Sequence, residues 1–119
     1  MMSQDDFKKY LPLTEATYYI MATLSEPLHG YAVMQEVEKS SEGTVRVGPG
    51  TLYGVFTTLE KEGLIVKVKE EERRKSYTLT PKGRAVLLSH VKRLEIMSRI
   101  GLAISDRLLS DRHNVVGGA

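Results

Sequence analysis

Hydrophobic residues in the first half of the chain recur at helical spacing in two short segments, each with start and stop signals. The first segment follows Thr14, a typical helix-capping residue, and stops before Pro27. The second begins near His29 and is closed by Gly43, a typical left-handed terminator. Their apolar stripes are Ala16, Tyr19, Ile20 and Leu24, and then Gly30, Val33, Met34 and Val37. The pattern predicts two amphipathic helices, and the alternating TVRV stretch at 44–47 predicts a short strand after them.

A third helical segment starts, unusually, at the glycine- and proline-rich run VGPG. Pro49 suits the first helical position, where its missing N–H would have no partner, so Gly48 is the predicted N-cap and Gly63 the terminator. A helical wheel buries a stripe made of Leu52, Val55, Phe56 and Leu59. The opposite face is small and polar, and it comprises Gly50, Gly54, Thr57, Thr58 and Lys61, flanked by Tyr53 and Glu60. The two glycines on that face would let another molecule approach the helix backbone closely.

Beyond Gly63 the spacing changes from helical to alternating. The stretches LIVKVKE and SYTLT predict two strands of a β-hairpin, with the charged EERRK run as the turn. Thr80 followed by Pro81 signals the start of a long last helix, which we expect to end near Leu109. The tail, residues 111–119, has a polar start and terminal glycines, and it is expected to be flexible.

Three short helices, a β-hairpin and a long last helix predict an α+β, mostly helical chain built as a winged helix-turn-helix. Residues 1–80 would form the winged-helix domain and residues 81–110 a dimerisation helix. The last helix has apolar residues on more than one face, which a single small domain seldom needs, so we expect it to pack on its own domain and on a second copy. The alternative is a helix folded back entirely onto its own monomer. The predicted seam consists of Leu87, His90, Leu94, Met97, Gly101, Ile104 and Leu108.

Charge is distributed unevenly along a chain of 119 residues whose net charge is only +2. Residues 64–93 contain nine lysines or arginines and three acidic residues, a balance of +6, whereas the remainder has eight basic and twelve acidic residues, a balance of −4. A local excess of this kind is typical of a surface that meets a polyanion. The plainer interpretation is a solvated, charge-rich surface.

Several chemistries are excluded by the residue types present. The chain has no cysteine, and its three histidines, His29, His90 and His113, lack the spacing of metal ligands, so neither a disulfide nor a metal site is expected. No Ser/His/Asp constellation is recognisable, and VGPGTLYG lacks the lysine of a phosphate-binding loop, so we expect no enzyme and no cofactor. Without a signal peptide or an apolar run of membrane-spanning length, a cytoplasmic protein with no membrane partner is expected.

The stretches PLHGYAVMQEVE, VGPGTLYGVFTTLEKEGLI and RRKSYTLTPKG, in this order and spacing, resemble the PadR family of bacterial transcriptional regulators over residues 11 to about 109. The resemblance implies a homodimeric repressor that binds a pseudo-palindromic operator in double-stranded DNA and is often released by a small hydrophobic or aromatic effector. The short C-terminal part is similar to the compact subfamily with one C-terminal helix. The resemblance puts Thr51 and Tyr53 near DNA and matches Lys75 and Tyr77 to the wing. Gly54 and Val55 differ from the proline–alanine pair common there, so base preference is not transferred.

We therefore expect the helix at residues 49–62 to read the major groove and the basic residues of the hairpin to contact phosphate or the minor groove. The candidate DNA-binding residues are Gly50, Thr51, Tyr53, Gly54, Thr57, Thr58, Lys61, Lys67, Lys69, Arg73, Arg74, Lys75 and Tyr77. A second hypothesis is a protein-interaction module in which the basic hairpin only keeps the surface soluble. Salt-sensitive binding with selectivity over random DNA would separate the two.

Overall fold

The computed structural model describes residues 4–118, except the side chains of residues 4–6, 69 and 112–118. A 3₁₀ helix at Gln4–Tyr10 comes first. The elements that follow are α1 (Glu15–Thr23), β1 (Leu28–His29), α2 (Gly30–Ser40), α3 (Pro49–Lys61), β2 (Ile65–Glu71), β3 (Arg74–Leu79) and α4 (Pro81–Gly118). The strands form an antiparallel sheet in the order β1-β3-β2. This is the predicted winged helix-turn-helix with a long last helix, and β2 and β3 are its wing.

Three helices begin at the positions that their capping residues predicted from the sequence. Thr14 accepts the backbone N–H of Thr17 at its Oγ1, 3.1 Å away, and so satisfies one of the unpaired donors at the start of α1. Gly48 is the N-cap of α3, with Pro49 as its first residue. The hydroxyl of Thr80 accepts the Gly83 N–H at 3.0 Å at the start of α4. These three observations confirm the predicted helix starts.

The core lies between the first three helices, the sheet and the first turns of α4. Its side chains are apolar, and the largest fully buried ones are Ile20, Met21, Leu24, Leu52, Leu64, Ile65, Val33, Val37 and Val86. The predicted stripe of α3 faces this core, with Val55 half-buried and the other three residues buried. Burying such side chains is the main stabilising contribution to a domain of this size.

The strand predicted at 44–47 is wrong. This segment is not a strand, because the side chain of Ser41 takes the hydrogen bonds that a strand would have made: its Oγ accepts the Val45 N–H at 3.0 Å and donates to the Val45 carbonyl at 3.1 Å. The third strand is instead the two-residue β1, whose Leu28 pairs with Tyr77 of β3. Two residues are too few to produce an alternating pattern in the sequence.

The last helix, α4, continues beyond Leu109, where we expected it to end, as far as Gly118. The flexibility of the tail stays a prediction, and Ala119 lies outside the described residues. The distal part of α4 extends away from the domain, so the molecule measures 65 × 35 × 20 Å. Its radius of gyration is 18.3 Å, whereas a compact domain of this length has a radius of about 13.5 Å. Among the described residues, no helix is long and apolar enough to cross a membrane.

Candidate nucleic-acid interface

The exposed face of α3 has the composition that the helical wheel predicted. Thr57, Thr58 and Lys61 are exposed, and no atom lies within 4 Å of a Cβ built on Gly50 or Gly54. Open space above two successive turns leaves the backbone accessible to a large partner. The sequence prediction for this face is therefore confirmed as far as its exposure is concerned.

Two threonines on this face bond back to the helix. Thr57 Oγ1 donates to the Tyr53 carbonyl at 2.8 Å, and Thr58 Oγ1 donates to the Gly54 carbonyl at 3.2 Å. A hydroxyl that donates to its own helix still offers its lone pairs as acceptors. Both side chains can therefore accept a hydrogen bond from a base amino group and can offer a methyl group for apolar contact.

The wing is a regular hairpin with one irregularity. Its turn residues, Glu72 and Arg73, have φ angles of 48° and 70°, and positive φ at both central positions is the requirement of a type I′ turn. A shift of register between Lys67 and Lys69 marks a β-bulge in β2. Bulges increase the local twist of a hairpin, so this one changes the direction of the wing tip.

Basic side chains concentrate at the tip of the wing. Arg73, Arg74 and Lys75 are exposed there, while Lys67 lies 3.5 Å from the carboxylate of Glu70. The side chain of Lys69, also predicted to contact DNA, lies outside the described residues. The exposed basic side chains at the tip can reach a phosphate oxygen. Lys67 can do so as well, because a surface ion pair contributes little free energy and is easily exchanged for a phosphate contact.

A groove of about 520 Å³ separates α3 from the wing and brings the two predicted surfaces together. Tyr53 and Thr57 line it from α3, and residues 73–75 line it from the wing. Tyr31 lies at its edge with 64% of its surface exposed. Sequence reasoning did not include Tyr31 in the site, because its place beside α3 depends on how α2 and α3 cross.

Tyr77 also lines this groove, but little of its surface is open to it. Only 9% of it is exposed, and its ring packs 4.8 Å from the ring of Phe56. Burial raises the pKa of Tyr77, and the Glu60 carboxylate adds to the rise. Tyr77 therefore packs with the core beneath the wing and contributes only a small part of the groove wall, and its contact with DNA stays a prediction.

Two basic residues from the predicted charge run hold the fold together. Lys82 Nζ donates to the Glu62 carbonyl at 3.0 Å and lies 4.9 Å from the centre of the Tyr10 ring. Arg84 donates to the Ser25 carbonyl at 3.1 Å. The excess of positive charge in residues 64–93 therefore divides into a wing that faces outward and a helix start that binds its own chain.

The predicted dimerisation seam divides between the domain and the free part of α4. Leu87 and Leu94 are half-buried, and His90 is buried at 5% exposure. The seam then continues into exposed positions, which are Met97, Gly101, Ile104 and Leu108. The part of the seam from Leu87 to Leu94 thus packs largely within its own chain, and the part from Met97 to Leu108 presents an apolar surface to solvent.

His90 has a defined role inside its own chain. Its Nδ1 accepts the Leu13 N–H at 3.2 Å, and its ring lies 5.3 Å from that of Tyr18. Burial lowers the pKa of His90 from its ordinary value of 6.5, and the positive charge of Arg93 lowers it further. The heptad spacing predicted a residue at a dimer seam, whereas the side chain fastens the N-terminal segment to α4.

Metal chemistry finds no support in the described side chains, which contain no group of three or more His, Cys, Asp or Glu residues able to hold an ion. The arrangement instead offers an open helix face with exposed hydrogen-bond acceptors, and a cationic wing that shares a groove with Tyr53 and Thr57 of that helix. These features are typical of a surface that binds a nucleic acid through its phosphates and contacts its base edges.

Comparison with known proteins agrees with this geometry. Residues 20–89, more than half of the chain, match the model of the transcriptional regulator PadR-like family. Transcriptional regulator Rv3488 of Mycobacterium tuberculosis is 37% identical over 75 residues, which are 60% of this chain and 67% of that protein. A 37.1 kDa protein in transposon TN4556 of Streptomyces fradiae is 38% identical over 74 residues, which are 61% of this chain and 21% of that protein, so the chain spans about a fifth of it.

Among solved structures, a PadR-like transcription factor from Bacteroides fragilis is similar to this chain with a TM-score of 0.64 and 26% identity. The similarity covers 84% of this chain and 99% of that one. It therefore includes the winged helix and a large part of α4.

Proposed function

This chain belongs to the PadR-like family of transcriptional regulators, and we propose that it acts as a homodimeric repressor on a pseudo-palindromic operator in double-stranded DNA. Members of the family are transcriptional regulators and not enzymes, in agreement with the absence of catalytic motifs from the sequence. The observation that supports the proposal most directly is the groove that α3 and the basic wing share. One face of the molecule can thereby offer base-reading and phosphate-binding groups together.

In the proposed complex α3 enters the major groove. Tyr53 and Thr57 lie where side chains can reach base edges, and the open backbone at Gly50 and Gly54 permits close approach. The basic residues of the wing contact phosphates on either side of the groove that α3 enters. The proposed DNA-contacting set is Gly50, Thr51, Tyr53, Gly54, Thr57, Thr58, Lys61, Lys67, Lys69, Arg73, Arg74, Lys75 and Tyr77, and Tyr77 is the buried member among the described side chains.

The proposed dimer forms through the free part of α4. Met97, Ile104 and Leu108 are exposed by 64%, 42% and 60%, and they lie on the same side of the helix as the seam that begins at Leu87. A row of exposed apolar side chains this long is a typical interaction surface. A two-fold axis along it would present two wings and two reader helices to one side of a duplex.

We further propose that a small hydrophobic or aromatic compound releases the protein from its operator. A compound can remove the protein from DNA only if it binds the DNA-incompetent dimer more tightly than the bound one. A site close to the dimer seam would meet this condition, because the seam sets the separation of the two reader helices.

Selection of bound duplexes from a random pool tests the proposal in one experiment. We expect two inverted half-sites about one or two helical turns (~10 or ~20 bp) apart, bound by a dimer in light scattering at micromolar protein. The affinity should fall steeply with salt and exceed that for scrambled duplexes. Failure to enrich any sequence would reject the operator, and a monomer in light scattering would reject the dimer.

A further inference from the structure

Gly30 is the first residue of α2, and its neighbours fix its backbone on two sides. The preceding residue, His29, pairs with Ser76 of β3 and caps α2 by accepting the Ala32 N–H at Nδ1, 3.4 Å away. Gly30 itself is buried. Its backbone is therefore tied to both the sheet and the helix, and it cannot move aside to make room for a neighbour.

The side chain that lies over Gly30 is Tyr53, from the exposed face of α3. A Cβ built on Gly30 would lie 2.9 Å from the Tyr53 hydroxyl and 3.3 Å from its Cζ. Elsewhere the Tyr53 ring meets that of Phe56 edge to face, with centres 6.1 Å apart. Even so, Tyr53 is 55% exposed and lines the groove between α3 and the wing. The ring is held by two neighbours while half of its surface stays open to a partner.

We propose that Gly30 is a positioning residue for DNA recognition, because the missing side chain allows the Tyr53 ring to lie against α2 and so fixes where the ring meets DNA. This inference rests on the proposed DNA-binding function. An aromatic side chain already held in one orientation loses little conformational freedom when it binds, so its position affects both affinity and sequence preference. Gly30 is buried and acts only through Tyr53.

We expect the substitution Gly30→Ala to move the Tyr53 ring and to leave the fold in place. Gly30 is helical and has no left-handed φ, so alanine suits its backbone. The atom that the new Cβ would meet below 3.0 Å is the hydroxyl at the far end of a tyrosine side chain, which can rotate outward. The next neighbour, Leu52 Cδ2 at 3.2 Å, has to yield by only a few tenths of an ångström.

A double-mutant cycle tests this inference. Wild type, Gly30→Ala, Tyr53→Phe and the double variant are titrated against the duplex that wild type selects from a random pool and against a scrambled duplex of equal length. We expect Gly30→Ala to weaken binding to the selected duplex about tenfold in the wild-type background. In the Tyr53→Phe background the same change should have about a twofold effect at most, because the hydroxyl that met the Cβ is gone.

A readout from the free protein separates positioning from a general loss of stability. In ¹H–¹³C spectra of the tyrosine rings, the Tyr53 signal, identified by its loss in Tyr53→Phe, should shift in Gly30→Ala while the melting temperatures agree within a few degrees. Equal weakening by Gly30→Ala in both backgrounds, or an unmoved Tyr53 signal, would overturn the inference. A wild type that binds the two duplexes equally would reject the proposed function instead, and the Tyr53 signal would still decide whether Gly30 positions the ring.

Discussion

The arginines at the tip of the wing provide the sharpest test of how this protein would bind DNA. Arg73 and Arg74 are exposed and line the α3 groove, with Arg73 in the turn between β2 and β3 and Arg74 at the start of β3. A dimer presents four of these side chains. If each neutralises one phosphate, replacing both by alanine lowers the slope of log K against log salt by about 3.6, since one phosphate contact contributes about 0.9.

The same slope can be expressed as a change in affinity. Between 50 and 200 mM NaCl, wild type should lose roughly 150-fold more affinity than the Arg73→Ala, Arg74→Ala variant. The loss should be similar on the selected and the scrambled duplex, because phosphate contacts contain no sequence information. Fluorescence anisotropy titrations at five or so salt concentrations measure both quantities.

The matched control removes two positive charges elsewhere. Lys92 and Arg99 are exposed on α4, away from the groove and from the exposed seam, so the Lys92→Ala, Arg99→Ala variant has the same net charge as the wing variant. We expect its salt slope to remain close to that of wild type. Equal slopes for the two variants would show that only net charge matters, and an unchanged slope for the wing variant would refute a phosphate contact at the wing tip.

Three further predictions follow from buried contacts and from α4. Gly83→Ala should destabilise the fold by about 1–3 kcal/mol in urea denaturation, because the new Cβ would overlap the Leu64 carbonyl. Gly54→Ala, in open space, should instead stabilise it by up to about 1 kcal/mol, and equal effects of the two substitutions would refute the close approach of Gly83 to Leu64. Because the folded-state pKa of His90 is lowered, the unfolded chain binds more protons, so stability should be lost as pH falls below 6.5, and His90→Asn should reduce that slope. Ile104→Glu on the seam should shift light scattering towards monomer, whereas Leu102→Glu on another face should not; two dimers would contradict the seam.

Local signals were sufficient for the parts of the fold that local chemistry determines. Thr14, Pro49 and Thr80 predicted three helix starts, because capping and the missing proline N–H act within one turn. The exposed face of α3 followed from one helical wheel for the same reason. These features depend on residues three or four positions apart and need no knowledge of the tertiary structure.

The parts that sequence reasoning missed depend on distant contacts. The pairing of Leu28 with Tyr77 joins residues far apart in the chain, and it leaves no periodic pattern in a two-residue strand. His90 has the spacing of a seam residue, yet its partner is the Leu13 N–H, which reaches it only through the path of residues 11–14 across α4. A heptad pattern records which residues share a helix face and not which neighbour covers that face.

Tyr77 illustrates a conflict between two kinds of inference. The alternation of SYTLT put Tyr77 on the same face as Leu79, and both are buried. The family resemblance instead matched Tyr77 to the second strand of the wing, and Tyr77 was therefore included among the candidate DNA-binding residues. The burial that the alternation predicted is confirmed, because Tyr77 packs against Phe56 beneath the wing, while its small exposed part lines the groove and its contact with DNA stays a prediction. A residue's pattern within its own strand is here the better guide to its burial.

The start of α4 is tied to the end of α3, and this joint links the proposed dimer seam to the proposed reader helix. Thr80 donates through its N–H to the Leu64 carbonyl at 3.0 Å and through its hydroxyl to the Gly63 carbonyl at 2.6 Å. Lys82 donates to the Glu62 carbonyl at 3.0 Å. The close approach of Gly83 to Leu64 leaves no space for these groups to slide.

Because its first turn is bonded to the end of α3, α4 rotates as a rigid rod and α3 moves with it. Met97, the first fully exposed seam residue, lies 16 residues beyond Pro81, or about 24 Å along the axis at 1.5 Å per residue. A change of about 10° in the crossing of two α4 helices turns each helix by about 5°, so each joint moves by about 2 Å and the separation of the two α3 helices changes by about 4 Å. Adjacent base pairs are 3.4 Å apart, so a movement of this size takes the reader helices out of register with their half-sites. The geometry thus explains how a small change at a dimer seam could end DNA binding without any ligand in the DNA groove.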